Sequence, residues 1–161
     1  MSKKSARAPS PRGKRTETPP FILDNVAMVD CACTRAGIIA DQEMPNVVVI
    51  KLSYRTARWQ EDSARLLCTM PIETTAAYAE GQAPALALRA TFAALLRFSA
   101  PLPESIGNEK ARNFIRDRTI FQVWPYWRQF VQSTTVRMGL PPMQLFPEIP
   151  QEMLSNFVTT E

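Results

Sequence analysis

From Ile120 to Pro147 the chain reads IFQVWPYWRQFVQSTTVRMGLPPMQLFP, an apolar helix that is made to stop. Ile120, Trp124, Trp127, Val131 and Met138 recur at steps of three, four and seven residues, which sets them on one helical stripe. Val123, Tyr126 and Phe130 form a second apolar stripe beside the first. Gly139 suits the position just past a helix end, where a left-handed backbone is needed, and Pro141 and Pro142 prevent a return to helix. A helix that is apolar on two sides wants two partners. It either lies deep inside its own monomer or packs one side on its own sheet and the other on a second subunit. We expect the second arrangement, with Ile120, Trp124, Trp127 and Val131 at the oligomer interface.

The chain before this helix alternates with period two. Phe21 to Arg35 reads as a strand with Phe21, Leu23, Ala27, Val29, Cys31 and Cys33 on one side and Asp24 and Asp30 on the other. Ala36 to Asn46 reads as a long crossover, and Val47 to Trp59 as a second strand. Arg65 to Ile72 reads as a third, at an edge or irregular near Pro71, which cannot donate to a ladder. Pro84 to Ser99 pulls two ways. Its Ala/Leu/Arg composition favours helix, whereas Leu86, Leu88, Ala90, Phe92, Ala94, Leu96 and Phe98 alternate without a break and favour strand. Ser105 to Arg116 reads as a short polar helix, Thr119 opens the long one, and Pro125 is expected to kink it. Pro150 suits the first turn of a last short helix, Gln151 to Phe157.

The net charge of +4 is unevenly placed. Residues 1–20 are rich in Ser, Pro, Lys and Arg and carry +5, so residues 21–161 sum to −1. The first segment has too little apolar surface to offset its ordering entropy and reads as a disordered basic tail; residues 21–161 read as one domain. Such a tail could recruit nucleic acid by charge alone, and a solubilising tail is the preferred reading. No segment offers the ~20 apolar residues of a membrane span, and no apolar run follows the basic start, so no secretory leader and no membrane insertion are expected. Cys31, Cys33 and Cys68 are then expected as reduced, buried thiols in a cytoplasm.

Chemistry is sparse. With no His in the chain, imidazole acid/base work and Ser-His or Cys-His pairs are out of reach. Two thiols at i and i+2, with one further Cys, do not complete a tetrahedral zinc site. There is no glycine-rich phosphate cradle and no calcium-loop spacing. Neither enzyme activity nor a cofactor is expected. Arg128 is expected to run its stem along Trp124 to solvent or to pair with a carboxylate, with no binding role. Apolar positions in excess of one core point to association or to apolar ligands.

The run V-W-P-Y-W-R and the exit R-M-G-L-P-P-M-Q-L-F-P resemble the C-terminal half of the SecB export-chaperone family, through Pro125, Tyr126, Arg128, Arg137, Gly139, Pro142, Leu145 and Pro147. From Phe21 to Ala100 the likeness lies in the order and length of elements. The resemblance implies an α+β fold: a four-stranded antiparallel sheet, then a short helix, a long kinked helix and a short C-terminal helix. It also tips Pro84 to Ser99 towards strand. It implies an ATP-independent holdase, a dimer of dimers, that binds unfolded or pre-secretory polypeptides in apolar grooves, with Met44, Val47, Val49 and Phe92 as client-binding candidates. Docking on the SecA motor is implied as well. The near-neutral body and the short stretch after the last helix count against that partner. Variants of this reading are a SecB-like chaperone dedicated to a toxin–antitoxin pair and, from another class, a nucleic-acid-binding protein acting through the basic arm.

Overall fold

A computed structural model describes residues 21–36, 45–60, 64–99, 109–155 and 158–159. The basic tail of residues 1–20, most of the crossover with Met44, and Phe157 lie outside the described residues. Four long strands, β1 (Phe21–Arg35), β2 (Val47–Gln60), β3 (Arg65–Ala77) and β4 (Leu86–Phe98), precede α1 (Glu109–Arg137). A short α2 (Gln151–Ser155) and β5 (Val158–Thr159) follow. The sheet order is β1-β4-β3-β2-β5. The four long strands pair antiparallel, so the link from β1 to β2 crosses β4 and β3; β5 runs parallel to β2 at Ser53 and Tyr54.

β4 settles the contest between composition and pattern. Leu86, Leu88, Ala90, Phe92, Ala94, Leu96 and Phe98 are all buried on one face, while Arg89 and Arg97 on the other are exposed. A strand puts all seven apolar residues on the core side, which a helix would scatter around its circumference. β3 continues the face with Leu66, Cys68, Met70, Ile72 and Thr74.

Pro71 lies in a central strand rather than at an edge. The ladder accommodates it by a gap: between Leu52↔Ile72 and Arg55↔Thr69 no β2–β3 partners are paired, while on the far edge of β2 Ser53 and Tyr54 pair with β5. The irregularity expected at Pro71 is thus in the β2–β3 ladder.

β1 departs from its expected single face. Register shifts between Leu23 and Asn25 and between Met28 and Asp30 move Ala27 to the open face, opposite Ala93. Cys31 and Cys33 do share the face of Ala90 and Leu88, but both are exposed, not buried as expected. They sit on an edge strand of the sheet.

The expected break between a polar helix and a long one is absent, since α1 runs unbroken for 29 residues and passes through Pro125. Thr119 explains this. Instead of capping a new helix, its buried hydroxyl donates to the Ile115 carbonyl at 2.7 Å, one turn back.

The helix ends at Gly139, where φ is +72°. The Leu140 N–H donates to the Thr135 carbonyl and the Gly139 N–H to that of Val136, both at 3.0 Å. This is the paired closure of a Schellman motif, and Leu140, which follows, is buried. An alanine Cβ at 139 would meet nothing within 4 Å, so only the backbone conformation resists substitution. Gly139→Ala is expected to lower stability by about 1–2 kcal/mol, read as a lower urea midpoint with an unchanged slope.

Candidate functional site

After Gly139 the chain turns back along α1. Two side chains of the helix hold the returning segment. Thr135 accepts the Met143 N–H at 3.0 Å, and Trp124 donates its indole N–H to the Phe146 carbonyl at 3.1 Å. Leu140, Met143, Leu145 and Ile149 bury themselves in the core, while Gln144 and Phe146 face out. Arg35 of β1 donates to the Met138 carbonyl at 2.7 Å, tying the helix end to the sheet.

Ile120, Trp124, Trp127 and Val131, expected at an oligomer interface, are 0–2% exposed within their own chain. They are core. The physical reason is the sheet's apolar face, which takes this stripe whole: the Trp127 ring meets Phe92 edge-on at 6.3 Å and lies 5.3 Å from Phe130. Phe92, expected to bind clients, is 3% exposed and belongs to the same core. Val49, 48% exposed, and the partly buried Val47 remain accessible on β2. Met44 lies outside the described residues. Among the described residues the structure therefore does not gather Val47, Val49 and Phe92 into one site.

What the helix does present outward is a different set. Phe114, Phe121 and Val136 are 42–53% exposed and, with Pro125, follow steps of seven, four and eleven residues, one strip of the outer face. Arg118 lies over the Phe114 ring at 5.6 Å. The two stripes read from the sequence missed Phe114 and Phe121, whose seven-residue spacing was the available signal; of the second stripe Tyr126 is 47% exposed and Val123 is core. Ile22, Met28 and Val29 on β1, and Val48 and Tyr78 at the other end of the sheet, are also exposed.

Between the outer strip and the returning segment lies a cleft of about 310 Å³, with Pro125, Arg128, Gln129 and Gln132 on the helix side and Met143, Gln144 and Leu145 opposite. Among the described residues Arg128 has no carboxylate partner, and its Nε is buried without a hydrogen-bond partner there.

The open face of the sheet is charged at both ends. Asp24 faces Arg65 at 3.2 Å and Arg97 at 3.5 Å, and Glu73 faces Arg89 at 3.6 Å. These exposed pairs contribute little to stability. Among the described residues no cluster of three or more His, Cys, Asp or Glu could hold a metal. No described helix is long and apolar enough to cross a membrane. Tyr54 and Cys68 are pushed upward by burial and hydrogen-bond each other at 3.1 Å, the opposite of an activated nucleophile.

No protein-family model matches the chain. No curated protein matches it either. Among solved structures it is similar to the SecB-like chaperone Rv1957 of Mycobacterium tuberculosis, determined in complex with a ChAD peptide from the Rv1956 HigA1 antitoxin. The identity is 17% and the TM-score 0.57, over 78% of this chain and 89% of that one. A protein of unknown function from Streptococcus agalactiae is similar over 80% of this chain and 98% of its own, at 7% identity and a TM-score of 0.48. The four-stranded antiparallel sheet with its helices thus has a divergent SecB-like fold.

Proposed function

We propose that the chain is an ATP-independent holdase that captures unfolded polypeptides on apolar surfaces of a homo-oligomer, a dimer of dimers, in the cytoplasm. The observation that supports this most is the outward apolar strip of Phe114, Phe121 and Val136 on a SecB-like scaffold, together with exposed aliphatics at both sheet ends. Exposed apolar residues that share one face, unlike single scattered ones, mark association surfaces. With the Trp stripe committed to the core, client contact on the sheet is assigned to Val47, Val49 and Met44.

The test is light scattering coupled to gel filtration, with and without a reduced, unfolded client. We expect an oligomer whose mass rises by that of the client. A monomer whose mass ignores the client would sink the proposal. Val49→Asp is expected to weaken capture about tenfold, since a charge set on an apolar contact forfeits roughly 1–2 kcal/mol. Deleting residues 1–20 is expected to leave capture intact; loss of capture on that deletion would favour the basic arm and a polyanionic partner.

A second reading draws on the antitoxin peptide held by the similar mycobacterial structure. In it the chain serves one dedicated client of a toxin–antitoxin pair. Affinities measured for several unrelated unfolded proteins separate the two. Similar values favour a general holdase, and a single strong binder favours a dedicated one.

A further inference from the structure

Arg128 has an unmet requirement. Its guanidinium is always charged and offers five donors, yet its Nε is buried without a partner and it makes no ion pair among the described residues. The surrounding sequence supplies no counter-charge, because from Thr119 to Pro147 there is no Asp or Glu. The half-buried Arg128 guanidinium, without an ion pair among the described residues and beside a cleft, is complementary to a carboxylate brought from outside to its terminal nitrogens.

The rest of the cleft narrows the choice of ligand. Gln129, Gln132 and Gln144 line it from both walls, and each amide offers donors and an acceptor of the kind a peptide backbone pairs with. Met143 and Leu145, 6% and 8% exposed, give it an apolar floor. One cation with three amides suits one acidic residue in a peptide. It does not suit a polyanion, which needs several cations in a row.

We propose that this cleft binds an Asp or Glu side chain within an extended polypeptide, with Arg128 taking the carboxylate and the glutamine amides the flanking backbone. The inference deepens the polypeptide-binding reading above and rests on it, by naming the client chemistry this cleft selects.

The test uses the full chain and fluorescence anisotropy with two labelled nonapeptides, both capped and amidated. They are identical except for a central Glu or Gln between leucines. The Glu peptide is expected to bind about tenfold more tightly, as a charge-assisted hydrogen bond allows. The preference is expected to vanish as pH falls through the carboxyl's range near ~4.3. It is also expected to shrink to within about twofold in Arg128→Gln and to survive in part in Arg128→Lys. The comparison of peptides on the unmodified chain stands even if a variant fails to fold. A Gln peptide with a free C-terminus that matches the Glu peptide would overturn the assignment to a side chain. Capture of an unfolded client with no preference for Glu over Gln would overturn this inference alone. Failure to bind client and peptides alike would overturn the polypeptide-binding reading with it.

Discussion

Alanine at Trp127 is expected to destabilise the fold by about 3–5 kcal/mol, the range for deleting a large aromatic from a packed core. The indole is 0% exposed and packs on Phe92 and Phe130. Its Nε1 is buried and has no hydrogen-bond partner among the described residues. Phenylalanine at 127 is therefore expected to cost less than half as much, because it keeps most of the apolar contact and removes an unmatched donor. Trp124 should behave in the opposite way. Its indole N–H meets the Phe146 carbonyl, so Trp124→Phe also releases the returning segment, at a cost of about 0.5–1.5 kcal/mol for the hydrogen bond alone. Urea unfolding followed by circular dichroism reads all three. An unchanged midpoint in Trp127→Ala would mean that the core does not depend on this ring.

Stability is expected to fall as the pH rises above 9.0. The Cys68 thiol is pushed up to about 11 from an ordinary 9.0, chiefly by burial, with the Tyr54 hydrogen bond pulling the other way. Tyr54 is pushed upward too, first by burial and then by the charge of Cys68. The unfolded chain releases the Cys68 proton near 9.0 while the folded chain keeps it, so between 9.0 and about 11 unfolding releases a proton. The stability Cys68 contributes is present below 9.0 and is lost over that window, to about 2–3 kcal/mol in all. Urea midpoints at a series of pH values measure the slope. Cys68→Ala should be less stable near neutrality and flatter above 9.0, with Cys31 and Cys33 cancelling because both proteins carry them. Equal slopes would remove Cys68 from the account.

The sheet was legible because its signal is local. Seven apolar residues at strict alternation in β4 admit one face only, and Gly139 before Leu-Pro-Pro admits one kind of helix end. The direction of the Trp stripe was not legible. A stripe states which residues want cover, and both the monomer's sheet and a second subunit would satisfy it. The sheet's buried face decided the matter, and a single helix does not contain that information. Cys31 and Cys33 failed for a related reason: alternation set their face, but not how much of an edge strand's face is covered. Thr119 has the chemistry of a cap and of a mid-helix residue alike, so only the continuity of α1 tells the two apart. The cleft was hidden because its parts are distant in sequence: Arg128 and Gln144 meet only after the chain reverses at Gly139.

The two walls of that cleft are unlike. One is a rigid helix, while the other is an extended strap hung from it at Thr135 and Trp124 and weighted by a few buried aliphatics. Segments held by so few bonds open at a lower free energy than the elements they lie on. A cleft whose one wall opens more cheaply than the other is expected to widen for a bulky ligand rather than exclude it, which would leave the proposed selection at Arg128 to charge and not to size.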